Sequence, residues 1–187
     1  MGLMMILTGS KNCKRLIVFS ICAATILTLI IVSVYRPLHA AAAEENRSLK
    51  KACIKATICA INQEIDLYRQ RLKAAEDGAE YRKRIKELKS ERRKYFFMRI
   101  DDYTLPQNQT VTVAVTQSYR PGTILELTNL TRSGPFYHLA GIKDNNYRAL
   151  KAGINYTMTI YKVYQKDYVL PLIENYYVYV SDFSVIN

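Results

Sequence analysis

The chain has no tryptophan, two histidines, four cysteines and seven glycines. These shortages exclude several kinds of chemistry. Neither His39 nor His138 belongs to an H-E-x-x-H pattern, and there is no G-x-S-x-G elbow and no glycine-rich phosphate loop. Cys53 and Cys59 have no C-x-x-C spacing and no neighbouring histidine, so a zinc site is not expected. The late acids Glu126, Asp144, Asp167, Glu174 and Asp182 are scattered, and no pair has a spacing that would select it for glycoside chemistry. The expectation is a non-enzymatic chain with no catalytic residues, no cofactor and no metal.

What the chain does have begins at its N-terminus. Lys11, Lys14 and Arg15 precede residues 16–35, an uncharged apolar run. Arg36-Pro37 closes that run, and Ala41-x-Ala43 stands before Glu44. A basic start, an apolar middle and small residues in this order are the parts of a signal peptide, with cleavage expected after Ala43. The run would span ~30 Å as a helix, which also suits a retained membrane anchor. Both outcomes place the N-terminus in the cytoplasm and residues 44 onward outside it, because the positive charge lies ahead of the run. The expected location is periplasmic or otherwise extracytoplasmic, either soluble or anchored. Four Asn-x-Ser/Thr sequons, at Asn46, Asn108, Asn129 and Asn155, would matter in a glycosylating host.

Composition divides the remainder near residue 100. Residues 44–100 carry 16 basic and 9 acidic residues, a net +7 within a total of +11, while residues 101–187 carry 7 of each. The first segment is rich in Ala, Lys, Arg and Glu; the second is rich in Thr, Val and Tyr. The organisation expected is a leader (1–43), a basic helical segment (44–100) and a small β domain (101–187), an α+β chain.

In the helical segment Ile54, Ile58, Ile61, Ile65, Tyr68, Leu72 and Ala75 recur at alternating steps of four and three. That is a coiled-coil seam, and it predicts self-association or a protein partner. The frame then slips by one residue to Tyr81, Ile85 and Leu88, with Asp77-Gly78 between. A single helix with a stammer is expected, reaching ~80 Å over residues 46–99. The alternative is a hairpin closed by Gly78, with Asp77 and Glu80 opening a second helix. Cys53 and Cys59 lie ~9 Å apart along such a helix, too far to bridge each other. In an oxidising compartment they invite an intermolecular bridge; as small half-buried residues they need none.

Arg82, Lys83, Arg84 and Lys86, followed by Arg92, Arg93 and Lys94, form a basic run interspersed with Glu80, Glu87 and Glu91. A solvated helix face explains it, and an anionic lipid or glycan surface is the natural partner outside the cytoplasm; nucleic acid is not expected there. Tyr95, Phe96, Phe97 and Met98 are expected to dock on the following domain.

Five runs in residues 101–187 read as strands: 110–116, 123–130, 135–142, 154–164 and 176–186, with a short helical piece at 147–151. This layout predicts a small five-stranded barrel of the oligonucleotide/oligosaccharide-binding type, with an SH3-like barrel or small sandwich as runner-up. Eleven of the 15 tyrosines lie here, and Tyr161, Tyr164, Tyr177 and Tyr179 are candidates to stack on a ligand. The function expected is an exported envelope scaffold or assembly factor. The alternative is a binding module whose tyrosine-bearing barrel face takes a glycan, oligonucleotide or peptide.

Overall fold

The computed structural model describes residues 11–75, 77–117, 125–131, 135–166 and 174–186, and the side chains within them from Leu38 onward. Helix α1 runs Lys11–Ala74 and helix α2 Ala79–Phe97. Short 3₁₀ turns occupy Ile100–Asp102, Lys143–Asn145 and Tyr147–Ala149. The strands are β1 (Asn108–Val115), β2 (Leu125–Asn129), β3 (Phe136–Ile142), β4 (Asn155–Gln165) and β5 (Asn175–Val185). Two compact units result, residues 1–46 and 47–187. The second contains the later part of α1, all of α2 and every strand.

Helix α1 continues through Arg36-Pro37, the pair that closes the apolar run of residues 16–35. A proline inside a helix removes one backbone donor and crowds the carbonyl four residues before it, at a cost of ~3 kcal/mol. Among the described residues no helix is long and apolar enough to cross a membrane, and the side chains of residues 16–35 lie outside them. The proposed cleavage point, Ala43, is an exposed position of α1.

A single rod through Gly78 is not what forms. Helix α1 ends at Ala74 and α2 starts at Ala79, and α2 returns antiparallel along α1, with Tyr81 opposite Tyr68 and Arg92 opposite Asn62. Gly78 itself has φ −107° and ψ 15°, so it does not act as a left-handed terminator. Asp77 Oδ1 accepts the Ala79 N–H at 3.1 Å, the service an N-cap side chain performs for the first turn. The hairpin wins because it closes the slipped frame. Ile61 and Ile65 of α1 meet Ile85 and Leu88 of α2, with Tyr68 and Leu72 packed beside them. Tyr68 faces Tyr81 at 6.1 Å between ring centroids, and Arg92 donates to Asn62 Oδ1 at 2.8 Å. A one-residue slip that would disrupt a continuous seam is harmless when each half faces the other.

The strands close into a barrel in the order β1-β2-β3-β5-β4. All neighbours are antiparallel except β3 and β5, which are parallel. Alternation decides the interior. Val111, Val113 and Val115 of β1, Leu125 and Leu127 of β2, and Met158 and Ile160 of β4 point inward and are buried. Tyr156 fills one end, where its hydroxyl donates to the Ala149 carbonyl at 3.2 Å and accepts the Lys151 N–H at 2.9 Å. Gly153, with φ +77°, makes the turn into β4 in a conformation that favours glycine.

Candidate functional site

The outer face of β3, β5 and β4 is where helix meets barrel. Cys53, Ile54, Ala56 and Ala60 of α1 pack on Ala140, Val163, Tyr177 and Tyr179, with Tyr103 closing the edge. Close approach depends on small residues. A Cβ on Gly141 would lie 3.0 Å from the Tyr179 ring and 3.2 Å from the Ala56 methyl, so the helix rests where a side chain would stand. The β3–β5 register shifts between Leu139 and Gly141, which lets Ala140 also face the helix.

Polar groups punctuate this seam. Glu64 of α1 is fully buried and accepts the Tyr177 hydroxyl proton on Oε1 at 2.7 Å. Thr57 Oγ1 donates to the Cys53 carbonyl at 2.9 Å and lies 3.4 Å from the Val163 carbonyl on β4. Tyr164 donates to Glu91 of α2 at 3.1 Å, tying the second helix to the same strand. His138 stands beside Tyr177, ring centroids 5.4 Å apart, and its Nε2 lies 3.2 Å from Asn175 Oδ1. The amide oxygen can only accept, so Nε2 carries the proton. Glu126 approaches the other ring nitrogen at 4.0 Å from a largely exposed position.

Burial sets the titration of these groups. Desolvation, and next the charge of Lys166, hold His138 below its ordinary value of 6.5 despite Asn175 and Glu126. The Tyr177 phenol is pushed well above 10 by burial, with the Glu64 carboxylate adding to it. Burial raises the Cys53 thiol from 9.0 to about 12. A thiol so placed is a poor nucleophile, and at 0% exposure it is poorly placed for a bridge to another chain. Cys59 is partly buried and its thiol is raised for the same reason. Among the described residues no three His, Cys, Asp or Glu side chains gather as a metal site. The arrangement holds two helices onto a barrel.

The sequence-derived candidates fall in unexpected places. Ile54 is buried against the barrel, and Ile61 and Ile65 against α2, so the seam meant for a second chain is occupied within this one. Ile58, Tyr68, Leu72 and Ala75 are half-buried around them. Tyr177 and Tyr179, at 3% and 7% exposure, lie beneath α1 rather than on a free stacking face. Tyr161 and Tyr164 pack at the margin of the same cluster. Alternation puts these rings outside the barrel, as the pattern implied, but the helices then cover that side.

The basic run does remain on the surface. Arg82, Lys83, Lys86, Arg93 and Lys94 are exposed, while Arg84 pairs with Glu87 at 3.1 Å and Arg92 reaches Asn62. Phe96 and Phe97 depart from expectation: Tyr95 and Met98 dock on the helix–barrel cluster, but the two phenylalanines are 71% and 74% exposed. Helical spacing explains the split, since residues three apart share a face and the intervening pair rotates away. Glu64 and Thr57 escaped the sequence reading. Their signal was available: each lies three or four residues from Ile61 on the apolar face, where a carboxylate requires a buried donor.

No protein-family model matches the chain, and comparison with curated proteins and with solved structures returns no match.

Proposed function

We propose that this chain is an exported, non-enzymatic envelope protein that works as a scaffold or assembly factor, with its barrel as the part that meets a protein partner. The observation carrying this reading is the burial of the seam and of Tyr177 and Tyr179 within the chain itself. With those faces covered, the helical hairpin braces the barrel, and the outer faces of β1 and β2 are left for a partner. Outward residues there include Thr110, Thr112, Glu126 and Thr128, a polar and threonine-rich strip. The strand order, with one parallel pair between β3 and β5, supports the finer reading of an oligonucleotide/oligosaccharide-binding type of barrel. That architecture serves protein, nucleic-acid and glycan recognition alike, so the fold alone selects none of them.

Residues 1–43 carry the export part of the reading, by signal cleavage after Ala43 or by retention of residues 16–35. The binding-module alternative keeps one supporting observation, because the β2–β3 side of such barrels is their usual ligand face and Glu126 and Phe136 are exposed there. A photo-crosslinking amino acid at Thr112 or Glu126 in the full chain, in its native envelope, separates the two. A discrete protein adduct from both positions, competed by unlabelled chain, supports the scaffold. Adducts to glycan or oligonucleotide, or no adduct from either position, defeat it.

A further inference from the structure

The outward face of α2 is cationic along its length and apolar at its end. Residues 82, 86, 89, 93 and 96 follow one another at helical spacing, as do 83, 86, 90, 93 and 97. They read Arg, Lys, Lys, Arg, Phe and Lys, Lys, Ser, Arg, Phe, and all are exposed. No acid interrupts either row. The helix's three acids, Glu80, Glu87 and Glu91, sit on the flank, the last two engaged by Arg84 and by the Tyr164 hydroxyl respectively. Phe96 and Phe97 meet edge-on with centroids 5.3 Å apart, forming one apolar tip. The next acids, Asp101 and Asp102, belong to the 3₁₀ turn beyond the helix.

From this we infer that α2 docks on an anionic bilayer surface, its basic rows over the lipid headgroups and Phe96 and Phe97 inserted at the headgroup–acyl boundary. Basic side chains each strengthen attachment to anionic lipid, and aromatic anchors supply the apolar burial that charge alone lacks. The helix surface is convex and its rings turn against each other, whereas a single-stranded nucleic acid needs a groove and an open ring face. On the export reading proposed above, the uncharged run of residues 16–35 would bring the chain to a membrane independently of α2. The inference rests on α2 and stands apart from the identity of any partner at β1 and β2.

The absence of tryptophan supplies the assay. Phe97→Trp in the full chain creates a sole tryptophan at an exposed position. It is reconstituted in vesicles of phosphatidylcholine alone and of phosphatidylcholine mixed with phosphatidylglycerol. In the mixed vesicles the emission should shift to the blue and be quenched by lipids brominated on the acyl chain. In phosphatidylcholine alone it should stay water-like. Adding Lys86→Glu and Arg93→Glu should lower the docked-to-undocked ratio roughly 25-fold even if each change only removes one attractive charge. Phe96→Trp is the second reporter and should behave in the same way. Water-like, unquenched emission from both reporters in the mixed vesicles overturns the inference. So does equal quenching in both lipids, or a shift that appears only when an oligonucleotide is added.

Discussion

Replacing Leu88 with alanine tests the central feature of the fold, the return of α2 along α1. Leu88 has 0% exposure and sits against Ile61, Ile65 and Ile85. Leucine-to-alanine changes at buried sites cost about 2–5 kcal/mol, the larger values where neighbours cannot collapse into the space. Three β-branched isoleucines on two helices are stiff neighbours, so about 3 kcal/mol is expected. That is a large share of the ~5–15 kcal/mol typical of a folded domain, and corresponds to a fall in Tm of about 6–12 °C. Urea unfolding of the full chain, followed by the near-ultraviolet tyrosine signal, would measure it against Lys89→Ala, an exposed neighbour that should change stability by less than ~0.5 kcal/mol. The double variant Ile61→Ala with Leu88→Ala should deviate from additivity by more than ~0.5 kcal/mol, because the two cavities adjoin. In a continuous helix Ile61 and Leu88 would lie ~40 Å apart and could not couple. A near-neutral Leu88→Ala, or strictly additive variants, would refute the hairpin.

Further outcomes follow from the helix–barrel seam. Tyr177→Phe removes a 2.7 Å hydrogen bond to a buried carboxylate and should cost about 1.5–3 kcal/mol in the same titration; no loss would mean that the bond is not formed in solution. Gly141→Ala should destabilise by about 1–3 kcal/mol, since its methyl meets the Tyr179 ring and the Ala56 methyl; unchanged stability would show that α1 does not rest on β3 there. Because His138 is held below 6.5, its unfolded form binds a proton that the folded form refuses. Stability should therefore be full above pH 6.5 and decline as pH falls below it, until the folded histidine also titrates; His138→Gln should flatten that decline. At the alkaline end the sign reverses. The unfolded Cys53 ionises near pH 9.0 and the folded thiol only near 12, so stability should fall across that interval, and less so in Cys53→Ala.

Local pattern was enough for much of this molecule. The valine–threonine alternation of residues 110–116 and the turn residues between runs placed all five strands within a residue or two, since a half-buried strand writes its inward face at period two. The slip between the Ile54 and Tyr81 frames was equally visible, as was the change of composition near residue 100. The identity of the surfaces that meet was not. An apolar row says that something must cover it, without saying whether the cover is another chain, a second helix or a sheet, because hydrophobic burial is non-directional. So Ile61 and Ile65 read as a seam for a partner until α2 occupied them, and the outward tyrosines read as a ligand face until α1 lay over Tyr177 and Tyr179. The buried Glu64–Tyr177 pair joins positions 113 residues apart, beyond the reach of any local window. By itself the sequence determined the helices' apolar rows, the strands and their inward residues. Only the tertiary structure decided which covered face met which, and with it that Phe96 and Phe97 at the end of α2 stand exposed.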